Sequence, residues 1–223
     1  MSGPRIKICG LNSAAAFDAA IDAGADWVGF NFFAASPRYV TPATAAALSA
    51  RVPGGPQRVG LFVAPTDGMI AEVLARVRLD VLQVYGAADL ARLRARFGLE
   101  VWRPVGVSSS EDLPHALDGA DALLLDAKPP AHATRPGGNA ISFNWNMLRD
   151  WAAPGPWLLA GGLTVANVAE AIAISQPPAV DVSSGVETAP GVKDPALIRA
   201  FIAAARRRRD AGATPLDGGT LGQ

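Results

Sequence analysis

The chain has little sulfur and little imidazole: one cysteine and two histidines in 223 residues. A single cysteine excludes an internal disulfide, and so few Cys and His side chains exclude a zinc site built from them. Net charge is missing too. With 20 basic residues balancing 20 acidic ones, nothing points to nucleic acid or to an anionic membrane surface as a partner. No apolar run approaches the roughly 20 residues that a membrane helix needs. "MSGPRIKICG" has no apolar signal-peptide core, so a cytoplasmic location is expected. The turn after the first apolar run reads "GLNSAA" rather than G-x-G-x-x-G, which argues against a nicotinamide or other dinucleotide cofactor. His115 and His132 stand beside proline-bearing or loop-like sequence and are read as surface residues.

What is present is an alternation. Short apolar runs at 6–9, 26–33, 58–63, 81–86, 101–107, 122–128, 157–162 and 179–185 read as strands. Helical patterns at 13–24, 41–52, 67–77, 87–98, 110–117, 144–152, 165–175 and 194–209 separate and follow them, the one at 110–117 limited by Pro114. Ser13 and Thr41 stand at N-cap positions, Pro42 in a first turn and Gly24 past a helix end. Several strands are continuous apolar runs, as expected when both faces are covered. Strands alternating with helices imply parallel pairing through right-handed crossovers. Eight such units in one chain of this length predict a single-domain, parallel eight-stranded (β/α)8 barrel over 1–209; a doubly wound open sheet is the alternative. The stretch 210–223 is rich in Gly and Pro and is expected to be a disordered tail.

A barrel places chemistry at the carboxyl ends of its strands. Cys9 ends the first strand and is followed at once by Gly10. Strand side chains alternate, so Lys7 and Cys9 share the inward face while Ile6 and Ile8 turn to the helix layer. A cation about 6–7 Å below the thiol, by strand rise, favours thiolate. The plainer reading makes Cys9 a small core residue and Lys7 a member of a structural ion pair. Asp126 is delivered to the mouth by the apolar run "ALLLD", where desolvation would raise its pKa and suit it to act as an acid. Arg38, in "SPR" after the second strand, offers a fork for a carboxylate or phosphate. "AGG" ends the seventh strand and "SSG" the eighth. Gly161, Gly162, Ser183, Ser184 and Gly185 therefore form a candidate phosphate site of backbone N–H groups and hydroxyls. Asp181 shares the inward face with Ser183 and is available to a sugar hydroxyl or to Lys7. The loop 135–145, with two glycines, reads as either a lid or a plain connector. An acid and a base facing each other across a phosphorylated substrate suit proton shuffling, hence an isomerase or an aldolase-like enzyme.

These pieces resemble the phosphoribosylanthranilate isomerases of tryptophan biosynthesis over residues 5–205. The stretches that carry the likeness are "KICGL", "GADWVGFNFFAASPRYV", "RVGLFV", "VLQVYG", "LLLDAK", "WLLAGGL" and "AVDVSSGVETAPGVKD". The resemblance implies a TIM barrel and a cofactor-free Amadori rearrangement of N-(5-phosphoribosyl)anthranilate to 1-(2-carboxyphenylamino)-1-deoxyribulose 5-phosphate. It implies Cys9 as general base and Asp126 as general acid. Arg38 would lie on the anthranilate carboxylate, Asp181 near the sugar hydroxyls, and Gly161, Gly162, Ser183, Ser184 and Gly185 around the phosphate. The partner would be a small phosphosugar–anthranilate molecule, and the protein a monomer or homodimer. The chain departs from the family pattern at Tyr85, where histidine is usual, at Asn144, where aspartate is usual, and in "GGNAISF" over 137–143. A histidine-pathway phosphosugar isomerase and a catalytically inactive barrel with a binding role are the alternatives.

Overall fold

The structure, a computed structural model, describes residues 3–128 and 142–207. His132, most of the 135–145 loop and the 210–223 tail lie outside the described residues.

Eight parallel strands close into a ring in chain order. They are β1 (Arg5–Cys9), β2 (Trp27–Asn31), β3 (Gln57–Val63), β4 (Val81–Tyr85), β5 (Glu100–Val107), β6 (Ala122–Ala127), β7 (Trp157–Leu159) and β8 (Ala179–Val182). β1 pairs with both β2 and β8, which completes the barrel and rules out the open sheet. Outside lie α1 (Ala14–Asp22), α2 (Pro42–Ser49), α3 (Asp67–Leu74), α4 (Leu90–Phe97), α5 (Val168–Ser175) and α6 (Pro195–Arg206). The caps are the expected ones: Ser13 accepts from the Ala16 N–H and Thr41 from the Thr44 N–H, with Pro42 in the first turn.

Two layers of core result from the two faces of each strand. Ile6 and Ile8 are fully buried in the outer cluster with Phe17, Phe30 and Phe201. A separate inner cluster, including Trp27, Val59, Trp102, Leu124 and Leu158, fills the lower barrel. Trp27 and Trp102 meet edge to face at 5.2 Å between centroids, a favoured arrangement for two aromatic quadrupoles. Burying each such large side chain contributes about 1.5–3 kcal/mol. The inner cluster is thus a rigid floor beneath the polar residues at the strand ends.

The structure corrects the sequence expectation in three places. The helices expected at 110–117 and 144–152 are only 3-10 turns, at Ser110–Asp112 and Trp145–Leu148. In the first, the Asp112 carboxylate accepts from both the hydroxyl and the N–H of Ser108 and from the Ser109 N–H, and those bonds hold it well below the usual carboxylate range. This local bonding competes with a helix, and Pro114 removes the next donor. The second turn is capped by Asn144, whose side chain accepts from the Asn146 N–H at 3.1 Å. Asparagine and aspartate cap helical turns about equally well, so this departure from the family pattern leaves the cap in place. Trp151 ties the two segments together by donating to the Pro114 carbonyl at 3.0 Å. Third, a short antiparallel hairpin, β9 (Glu187–Ala189) and β10 (Val192–Lys193), stands between β8 and α6. Strands of two and three residues are too short to show any period in a sequence.

Candidate active site

The inward faces of β1 and β8 meet in register, with Lys7 opposite Asp181. Lys7 Nζ donates to Asp181 Oδ1 at 2.7 Å, with the lysine completely buried. Of the two partners considered for Asp181, the structure supplies Lys7. Cys9, one inward position further along β1, is buried at the strand end. Burial pushes its thiol above the ordinary value, and Asp181 pushes the same way; Lys7 and Lys193 pull it down without cancelling the rise. The expectation that Lys7 favours thiolate is therefore right in sign for Lys7 itself. It is corrected for the thiol as a whole, because desolvation is the larger effect.

The glycine after the cysteine has a steric reason. Gly10 has φ +74°, and a Cβ placed on it would lie 2.8 Å from Cδ of Arg38. The arginine stem thus passes over a residue that lacks a side chain. Ser36 holds the loop that carries it, accepting from the Arg38 N–H at 3.2 Å and from Asn31 Nδ2 at 3.1 Å. Arg38 was expected to present an open fork. Instead its Nε and Nη2 donate to Glu187 Oε1 and Oε2 at 2.6 and 2.8 Å. Lys193 Nζ reaches the same carboxylate at 2.7 Å and also donates to the Ser183 carbonyl and hydroxyl at 2.8 and 3.2 Å. Burial raises the Glu187 carboxyl, but the Arg38 and Lys193 bonds and charges outweigh it and leave it below the usual carboxylate range. Sequence reasoning missed Glu187 and Lys193. Both lie in the stretch "GVETAPGVKD", and the only signal was opposite charges in a short segment after the last strand.

Asp126 sits at the end of β6 and is buried. β6 is three strands from β1 around the ring, so carboxyl and thiol approach across the mouth rather than from diametrically opposite strands. Tyr85 ends β4 and accepts from Gln83 Nε2 at 3.3 Å. Its phenol is raised well above the ordinary value, first by burial and then by the nearby Asp126 and Asp181 carboxylates. It therefore stays protonated and remains a hydrogen-bond donor.

β7 stops at Leu159 and β8 at Val182, each three residues earlier than the expected "AGG" and "SSG" endings, so the glycines and serines lie in the turns that follow. Gly185 supports the two turns from behind: a Cβ on it would lie 1.8 Å from the Leu163 carbonyl oxygen. Asn167 braces the same region, accepting from the Thr164 N–H at 2.7 Å and donating to the Gly162 carbonyl at 2.9 Å. These bonds delay the start of α5 to Val168.

A cavity open to solvent at the strand ends is lined by Cys9, Arg38, Tyr85, Asp126, Asp181, Gly161, Gly162, Ser183 and Ser184 among others. Of the residues nominated from the sequence for acid–base, substrate or phosphate roles, all but Gly185 line it, while Lys7 is fully buried and does not. Among the described residues, no three His, Cys, Asp or Glu side chains converge as a metal site. His115 is exposed, as expected.

A family model for N-(5'-phosphoribosyl)anthranilate isomerase matches residues 6–204. The enzyme of that name from Paracoccus denitrificans is 56% identical over 206 residues, covering 90% of this chain and 96% of its own. The one from Acidiphilium cryptum is 55% identical and covers 90% and 98%. Among solved structures, phosphoribosyl anthranilate isomerase from Thermotoga maritima superposes with a TM-score of 0.80 at 36% identity, covering 91% of this chain and 98% of that one. A phosphoribosyl anthranilate isomerase in complex with reduced 1-(o-carboxyphenylamino)-1-deoxyribulose 5-phosphate superposes with a TM-score of 0.76 at 35% identity, covering 91% and 98%.

Proposed function

The chain belongs to the N-(5'-phosphoribosyl)anthranilate isomerase family, and from that premise we propose how its cavity performs the isomerisation. The enzyme converts the aminoaldose N-(5-phosphoribosyl)anthranilate into the aminoketose 1-(2-carboxyphenylamino)-1-deoxyribulose 5-phosphate. The kinship sets aside the histidine-pathway and inactive-barrel alternatives.

In the reading put forward here, Asp126 gives a proton to the furanose ring oxygen, and the ring opens to a Schiff base. Cys9, as thiolate, takes the C2 proton and leaves an enolamine, which tautomerises to the ketone. Protonation at oxygen and abstraction at carbon need a donor and an acceptor on either side of the sugar, and Asp126 and Cys9 line one cavity from separate strands. That shared cavity is the observation that carries the reading. Because the thiol is raised, thiolate is the minor form near neutrality, and Lys7 and Lys193 keep that fraction larger than burial alone would leave it. The carboxylate of the aromatic ring goes to Arg38. The phosphate goes to the turns at Gly161, Gly162, Ser183 and Ser184, with Gly185 supporting them. Asp181, committed to Lys7, faces the sugar from below. We assign the barrel domain to 1–209 and place 210–223 outside it. The protein is taken to work in the cytoplasm, as a monomer or homodimer; among the described residues no helix is long and apolar enough to cross a membrane.

The purified protein is expected to consume the anthranilate-derived substrate, read as loss of its fluorescence, and to complement a tryptophan auxotroph lacking this step. Complementation of a histidine auxotroph instead, or no turnover by a folded sample, would overturn the reading. Gly185→Ala drives a methyl group into the Leu163 carbonyl, so the turns must part. Displacement of that size costs on the order of 10²-fold in kcat/KM. Steady-state kinetics with that variant should show it; wild-type kinetics would remove Gly185 from the phosphate site.

A further inference from the structure

Glu187 takes no part in the proton transfers and does not line the cavity, yet it is among the most heavily bonded side chains near it. Its carboxylate is 4% exposed and takes charged donors from Arg38 Nε, Arg38 Nη2 and Lys193 Nζ at 2.6, 2.8 and 2.7 Å. Three buried charges are a costly way to fill space, and apolar side chains of similar volume do that better. What the arrangement provides is direction.

A guanidinium has five N–H donors in one plane. A two-point contact on Nε and Nη2 stops that plane from turning about the stem. The outer edge, formed by Nη1 and the second N–H of Nη2, is the part of the fork left to a ligand, and Arg38 lines the cavity. Lys193 carries the restraint onward. It bonds Glu187 and also holds the carbonyl and hydroxyl of Ser183, in the serine-bearing turn after β8. The hairpin that carries Glu187 and Lys193 is itself seated on the arginine loop. The Gly191 carbonyl accepts from Asn12 Nδ2 at 2.8 Å, and Gly191 lets the chain pass so close that a Cβ there would lie 2.3 Å from the Pro37 carbonyl oxygen.

We propose that Glu187 is a positioning residue that aims Arg38 end-on at the substrate carboxylate and, through Lys193, spaces Ser183 from it to match the two anionic ends of one ligand. The proposal rests on the assignment of Arg38 to the carboxylate and of Ser183 to the phosphate. It adds what sets the distance between them. A ligand with only one anion gains nothing from that spacing.

The test compares the natural substrate with its aniline analogue, which carries the phosphoribosyl group but no carboxylate. For Glu187→Gln, KM for the natural substrate is expected to rise about 10–100-fold, the range of one charge-assisted hydrogen bond, with kcat changed far less. The same substitution should leave KM for the analogue within about 3-fold of wild type, a difference that a thermodynamic cycle isolates. Glu187→Asp keeps the charge on a shorter stem and serves where Glu187→Gln fails to fold; the same selective loss is expected of it. Equal losses for both substrates, or a fall in kcat at constant KM, would show that Glu187 only holds the fold together. Arg38→Met tests the underlying assignment by itself. If that variant discriminates between substrate and analogue as well as wild type does, the carboxylate is bound elsewhere, whatever Glu187 does.

Discussion

Cys9→Ala is expected to lower kcat by about 10²–10⁴-fold, the usual contribution of one positioned acid or base, equivalent to roughly 3–5 kcal/mol of barrier. Asp126→Asn is expected to cost a similar factor. Each variant removes one of the two proton-transfer groups while the floor of the barrel, built from Trp27, Trp102, Leu124 and Leu158, stays intact. KM should therefore move much less than kcat. Groups that act in one reaction as a unit do not contribute additively, so the double variant should fall little below the weaker single variant. A Cys9→Ala rate equal to wild type would remove the thiol from the mechanism. In the unmodified enzyme, alkylation by iodoacetamide should rise with pH around a midpoint above the ordinary thiol value, because burial outweighs the two lysines that face Cys9.

Lys7→Met should have the largest effect on stability. It strands the Asp181 carboxylate in the barrel without its 2.7 Å partner. Removing one member of a buried pair typically destabilises by about 3–5 kcal/mol, which denaturant unfolding would register. Lys7→Met combined with Asp181→Asn should recover most of that loss, since no unpaired charge is then buried. If the double variant is as unstable as the single one, packing rather than charge is the cause. The pH dependence has a definite sign. Burial pulls Lys7 down, but Asp181 and Cys9 together raise it above its ordinary 10.5. A raised lysine contributes its full stabilisation below the unfolded-state value and loses it as pH climbs through the folded-state value. Wild type should therefore lose stability in strongly alkaline solution by a component that Lys7→Met lacks. Lys7→Met should also move the alkylation profile of Cys9 to higher pH, because a charge that lowers the thiol is gone.

The family pattern carries histidine where this chain has Tyr85, and the structure gives the tyrosine a defined chemical state. Burial, helped by the nearby Asp126 and Asp181 carboxylates, keeps it a neutral phenol, so the β4 end offers the cavity a donor across the working pH range. The chain's other departure, Asn144, caps its turn as an aspartate would.

By itself the sequence determined the number of barrel strands, their order around the ring, and which side chains of β1 point inward. These follow from the two-residue period of a strand, the helical period between strands and the capping residues, all of them relations between near neighbours. It also nominated the thiol, the carboxyl and both phosphate turns, because chemistry at a strand end is readable once the strand is. Only the tertiary structure decided what those groups touch. Arg38 meets Glu187 across 149 residues and Lys7 meets Asp181 across 174. Neither distance leaves a trace in local periodicity, and both contacts arise when the ring closes β8 onto β1. Closure also sets the depth of burial, and burial is what lifts Cys9 above an ordinary thiol despite its lysine neighbours.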